Sequence, residues 1–202
     1  MITIIDYGIG NLGSVANALD KLGARYQISS QPKDLRAATS LILPGVGAAS
    51  EGMRNLKERN IDKVLIEEID RGKPFLGICL GMQLLFDNSE EGNIKCLSIL
   101  EGKVKKFQKE KKIPQIGWNS VEIQNSKVKN LFLGIPDNSY LYFVNSYYCI
   151  PADKSIIIGE TEYGETFPSV IVKENIMATQ FHPEKSGKAG FQLLKNFINY
   201  VN

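Results

Sequence analysis

Hydrophobic positions in the first half of the chain alternate between two rhythms. Residues 2–5, ITII, form a short unbroken apolar run and predict a buried strand. After Asn11, the residues Leu12, Val15, Ala16, Leu19 and Leu22 recur at helical spacing until Gly23, which predicts a helix that Asn11 opens. Residues 26–29 predict a second strand, and residues 41–43 a third that runs into Pro44-Gly45-Val46-Gly47. Helical patterning then extends over 49–71, followed by a fourth strand at 74–78 and a short helix at 80–86. This strand–helix order predicts a parallel sheet with helices on both faces. After about Leu97 the rhythm changes. Segments 101–108, 113–124, 139–150, 155–162 and 169–181 are rich in Val, Ile, Tyr, Phe and Thr and read as antiparallel or mixed strands. A last helix is predicted over 188–201, with Phe191, Leu194, Ile198 and Val201 facing inward and Ser186 as its cap. No repeat, low-complexity tract or linker interrupts the pattern. The expected architecture is α/β, one domain over 1–202, with a doubly wound and mostly parallel sheet carrying an added antiparallel or mixed sheet.

Composition narrows the classes. A chain of 202 residues with 43% hydrophobic residues can bury a substantial core and does not read as disordered. The longest apolar stretch, 74–86, is broken by Gly77, Gly81 and Gln83, so no membrane span is expected. The start, MITIIDYGIG, lacks the basic and apolar regions of a signal peptide, and a cytoplasmic protein is expected. Three cysteines, Cys79, Cys96 and Cys149, stand far apart with no CxxC pair, which argues against a disulfide framework and a zinc site. No metal or other cofactor is expected. A net charge of +2 gives no general reason to expect nucleic acid. The lysine-rich stretch GKVKKFQKEKK at 102–112 reads as a solvated strand edge guarded by lysines.

The chemistry concentrates in Gly77-Ile78-Cys79-Leu80-Gly81. An apolar strand ends at a cysteine with glycine two residues to either side, and a helix begins at once. That is the cysteine form of a nucleophile elbow, whose tight turn leaves no room for side chains at the flanking positions. A cysteine at such an apex sits at a helix N-terminus, where the backbone's partial positive charge favours thiolate. The Leu80 amide would face an oxyanion formed on a carbonyl attacked by Cys79. Taken alone, Cys79 would read as an ordinary packing cysteine; the strand–turn–helix setting decides for a nucleophile. Cys96, in a loop-like stretch, and Cys149, in an alternating strand, keep the packing reading.

A cysteine that cleaves an amide needs a proton carrier, and His182 is the chain's one histidine. It follows an apolar strand in Gln180-Phe181-His182-Pro183-Glu184. Extended backbone would put residues 182 and 184 on the same side, so Glu184 could hold one tautomer of the ring. Alone, this pair would be a strand-end histidine beside a surface charge; with the elbow it completes a triad. A second oxyanion donor is expected from Val46 or Gly47, at the C-terminal end of a predicted parallel strand, where open α/β sheets bind ligands.

The elbow GICLGMQLLF, the turn LPGVG and the segment ATQFHPEKSG together resemble the triad-type (class I) glutamine amidotransferases. IIDYGIGNLGSV, IGWN at 116–119 and YFVNSYY at 142–148 are similar to one branch, the glutaminase subunits of imidazole glycerol phosphate synthase in histidine biosynthesis. The resemblance covers nearly the whole chain. It implies that Cys79, assisted by His182 and Glu184, hydrolyses glutamine to glutamate and ammonia through a glutamyl thioester. It implies a glutamine pocket containing Gly47, Gln83, Glu91, Ser146 and Tyr147, with Glu91 meeting the substrate's α-ammonium. It implies a heterodimer with a (β/α)8-barrel cyclase that uses the ammonia to make imidazole glycerol phosphate and AICAR, with Asn11, Trp118, Tyr142 and Lys185 at or near the contact. Three positions depart from the branch. Asn145 stands where histidine is usual, and Gln115 or Ile116 where another precedes the GWN motif. Ala48-Ala49-Ser50 follow the LPGVG turn where an aromatic residue is usual. These departures bear on partner and regulation. They leave open a paralogous glutaminase feeding another synthase, such as one modifying surface sugars, and, further off, a stand-alone cysteine hydrolase.

Overall fold

Four-residue apolar runs form the centre of a large sheet because neighbours bury both of its faces. The computed structural model describes residues 1–109, 112–123 and 131–201. The first half folds as β1 (Ile2–Ile5), α1 (Leu12–Lys21), β2 (Tyr26–Ser29), α2 (Pro32–Ala37), β3 (Ser40–Leu43), α3 (Ala49–Glu58), α4 (Ile61–Asp70), β4 (Phe75–Ile78) and α5 (Leu80–Gln83). Then come β5 (Asn88–Ser89), β6 (Ile94–Lys95), β7 (Gly102–Lys106), β8 (Gln115–Ile123), β9 (Ser139–Asn145) and β10 (Tyr147–Pro151). A 3₁₀ turn at Lys154–Ile156 leads to β11 (Ile157–Tyr163), β12 (Glu165–Lys173) and β13 (Ile176–Thr179). A second 3₁₀ turn, Pro183–Lys185, precedes α6 (Gly187–Val201).

The main sheet has nine strands in the order β2-β1-β3-β4-β13-β12-β11-β8-β9. Pairing is parallel from β2 to β13 and antiparallel from there to β9. A second sheet of four strands runs β10-β7-β5-β6. Side-chain alternation sorts the core. Ile5, Leu41, Leu43 and Phe75 share one cluster with Leu35, Met53, Leu56 and Leu65 of α2–α4 and with Val104 and Cys149 of the second sheet. Ile2, Ile4, Ile42, Leu76 and Ile78 share the other with Val15 and Leu19 of α1 and Leu194 and Phe197 of α6. The strands therefore read as unbroken apolar runs, as a sheet covered on both faces requires.

Several elements differ from the sequence expectation. The pattern over 49–71 is two helices, broken where Asn60 takes a left-handed φ of 55°. The short α2, with proline in its first turn, and the two-residue strands β5 and β6 carry too little periodicity to be read. The segment 139–150 divides at Ser146: β9 joins the main sheet and β10 the second. The segment 169–181 lies within a hairpin, β12 and β13, turning through Glu174 at φ 52°. The expected strand 113–124 is β8, and Gln124 lies outside the described residues. Lysines 103, 105 and 106 do not guard an edge, because β7 lies between β10 and β5; Lys103 and Lys106 are exposed and Lys105 is half-buried. Glu110 and Lys111 of that stretch lie outside the described residues. The Ser186 hydroxyl does not serve as a cap: it donates to the His182 carbonyl and accepts from the Tyr142 amide. Among the described residues no helix is long and apolar enough to cross a membrane.

Candidate active site

β4 delivers Cys79 to the C-terminal edge of the sheet in a strained conformation, φ 53° and ψ −106°, directly before α5. Both flanking glycines are forced by close approach. A Cβ on Gly77 would lie 2.8 Å from the Gly81 carbonyl oxygen, and one on Gly81 would run into the backbone carbonyl of Leu43. The expected elbow geometry is therefore present, and a non-glycine residue with positive φ points to an imposed, functional conformation.

β13 lies parallel to β4 with Thr179 opposite Ile78, so the two strands end together. His182 follows β13 at the edge where Cys79 follows β4. Its amide donates to the Tyr142 carbonyl at 2.9 Å. Its Nδ1 lies 2.8 Å from Glu184 Oε1, and both side chains are buried. The contact is not made along extended backbone as the sequence suggested; the 3₁₀ turn at Pro183–Lys185 folds Glu184 back beneath the ring. Burial acts to lower the pKa of His182, but the charges of Cys79 and then Glu184 outweigh it and hold the imidazolium well above its ordinary range. The ring is thus fixed at Nδ1 by a carboxylate, while Nε2 is buried and meets no hydrogen-bond partner among the described residues.

Cys96 and Cys149 lie apart from this edge, buried in the core. Burial pushes the Cys96 thiol up to about 11 and Cys149 well above the ordinary thiol range, so both stay protonated packing residues.

A cavity of about 230 Å³ opens beside Cys79. Val46, Gly47, Leu80, Gln83, Glu91, Ser146 and Tyr147 all line it, so the structure brings the expected oxyanion and pocket residues together. Pro114, Val144 and Asn145 line it as well. Glu91 accepts a 2.8 Å bond from the Ala49 amide, which holds its carboxylate at the cavity wall. Asn145 is buried and donates to the Tyr147 carbonyl at 3.0 Å. Its Oδ1 meets no partner among the described residues. The Leu80 amide, expected to serve an oxyanion, donates a long 3.4 Å bond to the Gly45 carbonyl. The start of the glycine turn is held in place. Tyr7, fully buried, donates from its hydroxyl to the Pro44 carbonyl at 2.8 Å, and a Cβ on Gly45 would lie 2.8 Å from the Gly81 nitrogen.

The remaining expected positions gather around the same edge. Trp118 is 54% exposed and packs edge-on against Tyr142, its cross-strand partner, with ring centroids 5.9 Å apart. Ile116 and Tyr140 extend this exposed apolar face. Lys185 is exposed on the 3₁₀ turn that carries Glu184. Asn11 caps α1 by accepting from the Ser14 amide at 3.4 Å, and α1 packs beside that turn. The sequence reading passed over Tyr7 and Gln180. Gln180 donates to Cys79 Sγ at 3.4 Å, and it sits just past the end of β13, two residues before His182. No grouping of three or more His, Cys, Asp or Glu side chains suited to a metal ion occurs among the described residues.

The family model Glutamine amidotransferase class-I matches residues 3–200. The chain is 48% identical over 199 residues to the imidazole glycerol phosphate synthase subunit HisH of Dehalococcoides mccartyi (strain CBDB1), covering 98% of this chain and 96% of that one. It is 49% identical over 204 residues to the subunit of the same name from Methanocaldococcus jannaschii, covering 100% of both. Among solved structures, PurLQS from Thermotoga maritima superposes with a TM-score of 0.79 at 18% identity, over 100% of this chain and 98% of that one. A crystal structure of a glutamine amidotransferase gives 0.78 at 17% identity, over 100% of this chain and 99% of that one. At such identities the structural likeness speaks for the fold alone.

Proposed function

The chain belongs to the class I glutamine amidotransferases, and from that premise we propose that it is the glutaminase subunit of an imidazole glycerol phosphate synthase, acting through Cys79, His182 and Glu184. The observation that carries this is the meeting, at the common end of β4 and β13, of the Cys79 elbow, which lines the cavity, and the buried His182–Glu184 pair. The Cys79 thiolate attacks the side-chain carboxamide carbon of glutamine and forms a tetrahedral oxyanion. That intermediate collapses to a thioester as His182 gives its proton to the departing ammonia. Neutral His182 then takes a proton from water, which attacks the thioester; glutamate leaves, and Cys79 and His182 return to their charged pair. Glu184 holds Nδ1 and supports the imidazolium throughout. Gly47, Gln83, Glu91, Ser146 and Tyr147 form the glutamine pocket, with the Glu91 carboxylate suited to the α-ammonium. The whole of 1–202 works as one unit of this kind.

The oxyanion site is the step left to a partner. The Leu80 amide, with Val46 or Gly47, serves the oxyanion once it turns from the Gly45 carbonyl. Docking of a (β/α)8-barrel cyclase on the face formed by Trp118, Tyr142, Ile116 and Lys185, near Asn11, drives that change, and the cyclase consumes the ammonia. The relatives' names favour this partner over a paralogous synthase. The test is glutamate release by the purified chain with and without the cyclase. Cys79→Ala should abolish it, whereas Cys96→Ala and Cys149→Ala should keep it. Wild-type turnover by Cys79→Ala, with the cyclase present, would show that the nucleophile lies elsewhere.

A further inference from the structure

Beyond the triad, we propose that Gln180 is a positioning residue for the nucleophile: an oriented amide that offers its N–H to Cys79 Sγ and so favours thiolate over thiol. The proposal rests on the reading of Cys79 as the nucleophile, and its support is the hydrogen-bond chain behind the sulfur. The Tyr147 backbone carbonyl can only accept. It receives Gln83 Nε2 at 3.0 Å, which fixes which end of the Gln83 amide points inward. The same Nε2 donates to Gln180 Oε1, also at 3.0 Å. With its oxygen committed to Gln83, Gln180 must turn Nε2 toward Cys79, and it does so at 3.4 Å from Sγ. Had Gln180 the opposite orientation, its nitrogen would face the Gln83 nitrogen, two donors with nothing between them. The polarity of the whole chain therefore descends from one main-chain carbonyl.

Three features make this more than packing. Gln180 is fully buried, so reversing its amide would leave groups unpaired with no water to compensate. A thiolate gains more from an N–H donor than a thiol does, because a bond to a charged acceptor is stronger than one to a neutral one. Gln83 and Tyr147 also line the cavity, so the orientation of the nucleophile's donor is set by residues of the pocket that the substrate enters.

The test reads Cys79 without needing glutamine. The full chain is treated with iodoacetamide from pH 5 to 9, and alkylation of the Cys79 peptide is followed by mass spectrometry. Gln180→Met, close in volume but without a donor, should move the rate profile about one pH unit upward, roughly tenfold slower below its inflection. Gln180→Glu should move it at least as far, since a carboxylate beside sulfur adds repulsion, and it keeps the proposal testable should the methionine variant not fold. With the cyclase present, kcat for glutamate release should fall several-fold while KM changes little. A lowered melting temperature with an alkylation profile matching wild type would mean that Gln180 only packs, and would overturn the proposal. Absence of glutamate release from the wild-type complex would instead count against the glutaminase reading, leaving the alkylation result to stand by itself.

Discussion

His182 carries the residue-scale argument because it is the chain's one histidine and it is almost wholly buried. Its ring signals in an NMR titration are therefore unambiguous. Its pKa in the fold lies above the ordinary value of about 6.5. The charged ring thus contributes stability that is complete below about pH 6.5 and is lost as pH rises through the raised value. The wild-type ring should titrate well above its usual range. In Cys79→Ala the leading cause of the rise is gone and burial opposes Glu184 alone, so the midpoint should drop; an unchanged midpoint would remove Cys79 as the ring's electrostatic partner. Kinetics separate the roles of His182 and Glu184. His182→Asn should stop glutamine turnover, because it removes the proton carrier. Glu184→Gln should lower turnover less completely, because it weakens the hold on Nδ1 without removing the carrier. A greater loss in Glu184→Gln than in His182→Asn would reverse the assignment.

At the scale of elements, the elbow depends on how closely β4, α5 and β3 approach. A Cβ on Gly81 meets the Leu43 main-chain carbonyl, which cannot swing aside as a side chain could. Gly81→Ala should therefore destabilise the protein by about 3 kcal/mol, read as a lower midpoint of denaturant unfolding. A loss under about 0.5 kcal/mol would mean that the turn has slack and that glycine is dispensable there. The strands and long helices of the first half were legible because their periodicity is strong and their flanking signals are local. Asn11 capping α1 and the paired glycines around Cys79 are such signals. The break at Ser146 was not legible. The run from β9 into β10 has only Asn145-Ser146 at its break, too short a turn signal to end a strand by itself, and pairing with β8 on one side and β7 on the other shows that it changes sheets.

For the molecule as a whole, the nine-stranded sheet ends on β9, and its outer face beside the active site exposes Trp118, Tyr140 and Ile116. Exposed aromatic side chains grouped in this way suit a protein partner. We expect slow glutamate release from the isolated chain and a large rise with the cyclase and its ligand, because the Leu80 amide is engaged by Gly45 in the free chain. Trp118→Ala should weaken the activating complex by about 2 kcal/mol, seen as a higher cyclase concentration for half-activation, with basal turnover unchanged. Full activity of the isolated chain, unaltered by the cyclase, would end the coupling argument.

What the amino-acid order determined by itself is which side chains are candidates for the reacting groups. Cys79 could be named from glycines two residues away on each side, and His182 from the lack of any other histidine; both facts are local or compositional. The succession of strands and helices in the first half followed from period and length. Only the tertiary structure decided that β13 returns beside β4 so that Cys79 and His182 share one edge, although 103 positions separate them. It alone decided that Glu184 reaches His182 through a 3₁₀ turn, that Gly45 occupies the Leu80 amide, and that Gln180 points at sulfur. Each of these is a contact between segments distant in sequence or a choice among backbone conformations that the residues permit equally. Periodicity carries no information about either, and packing selects one.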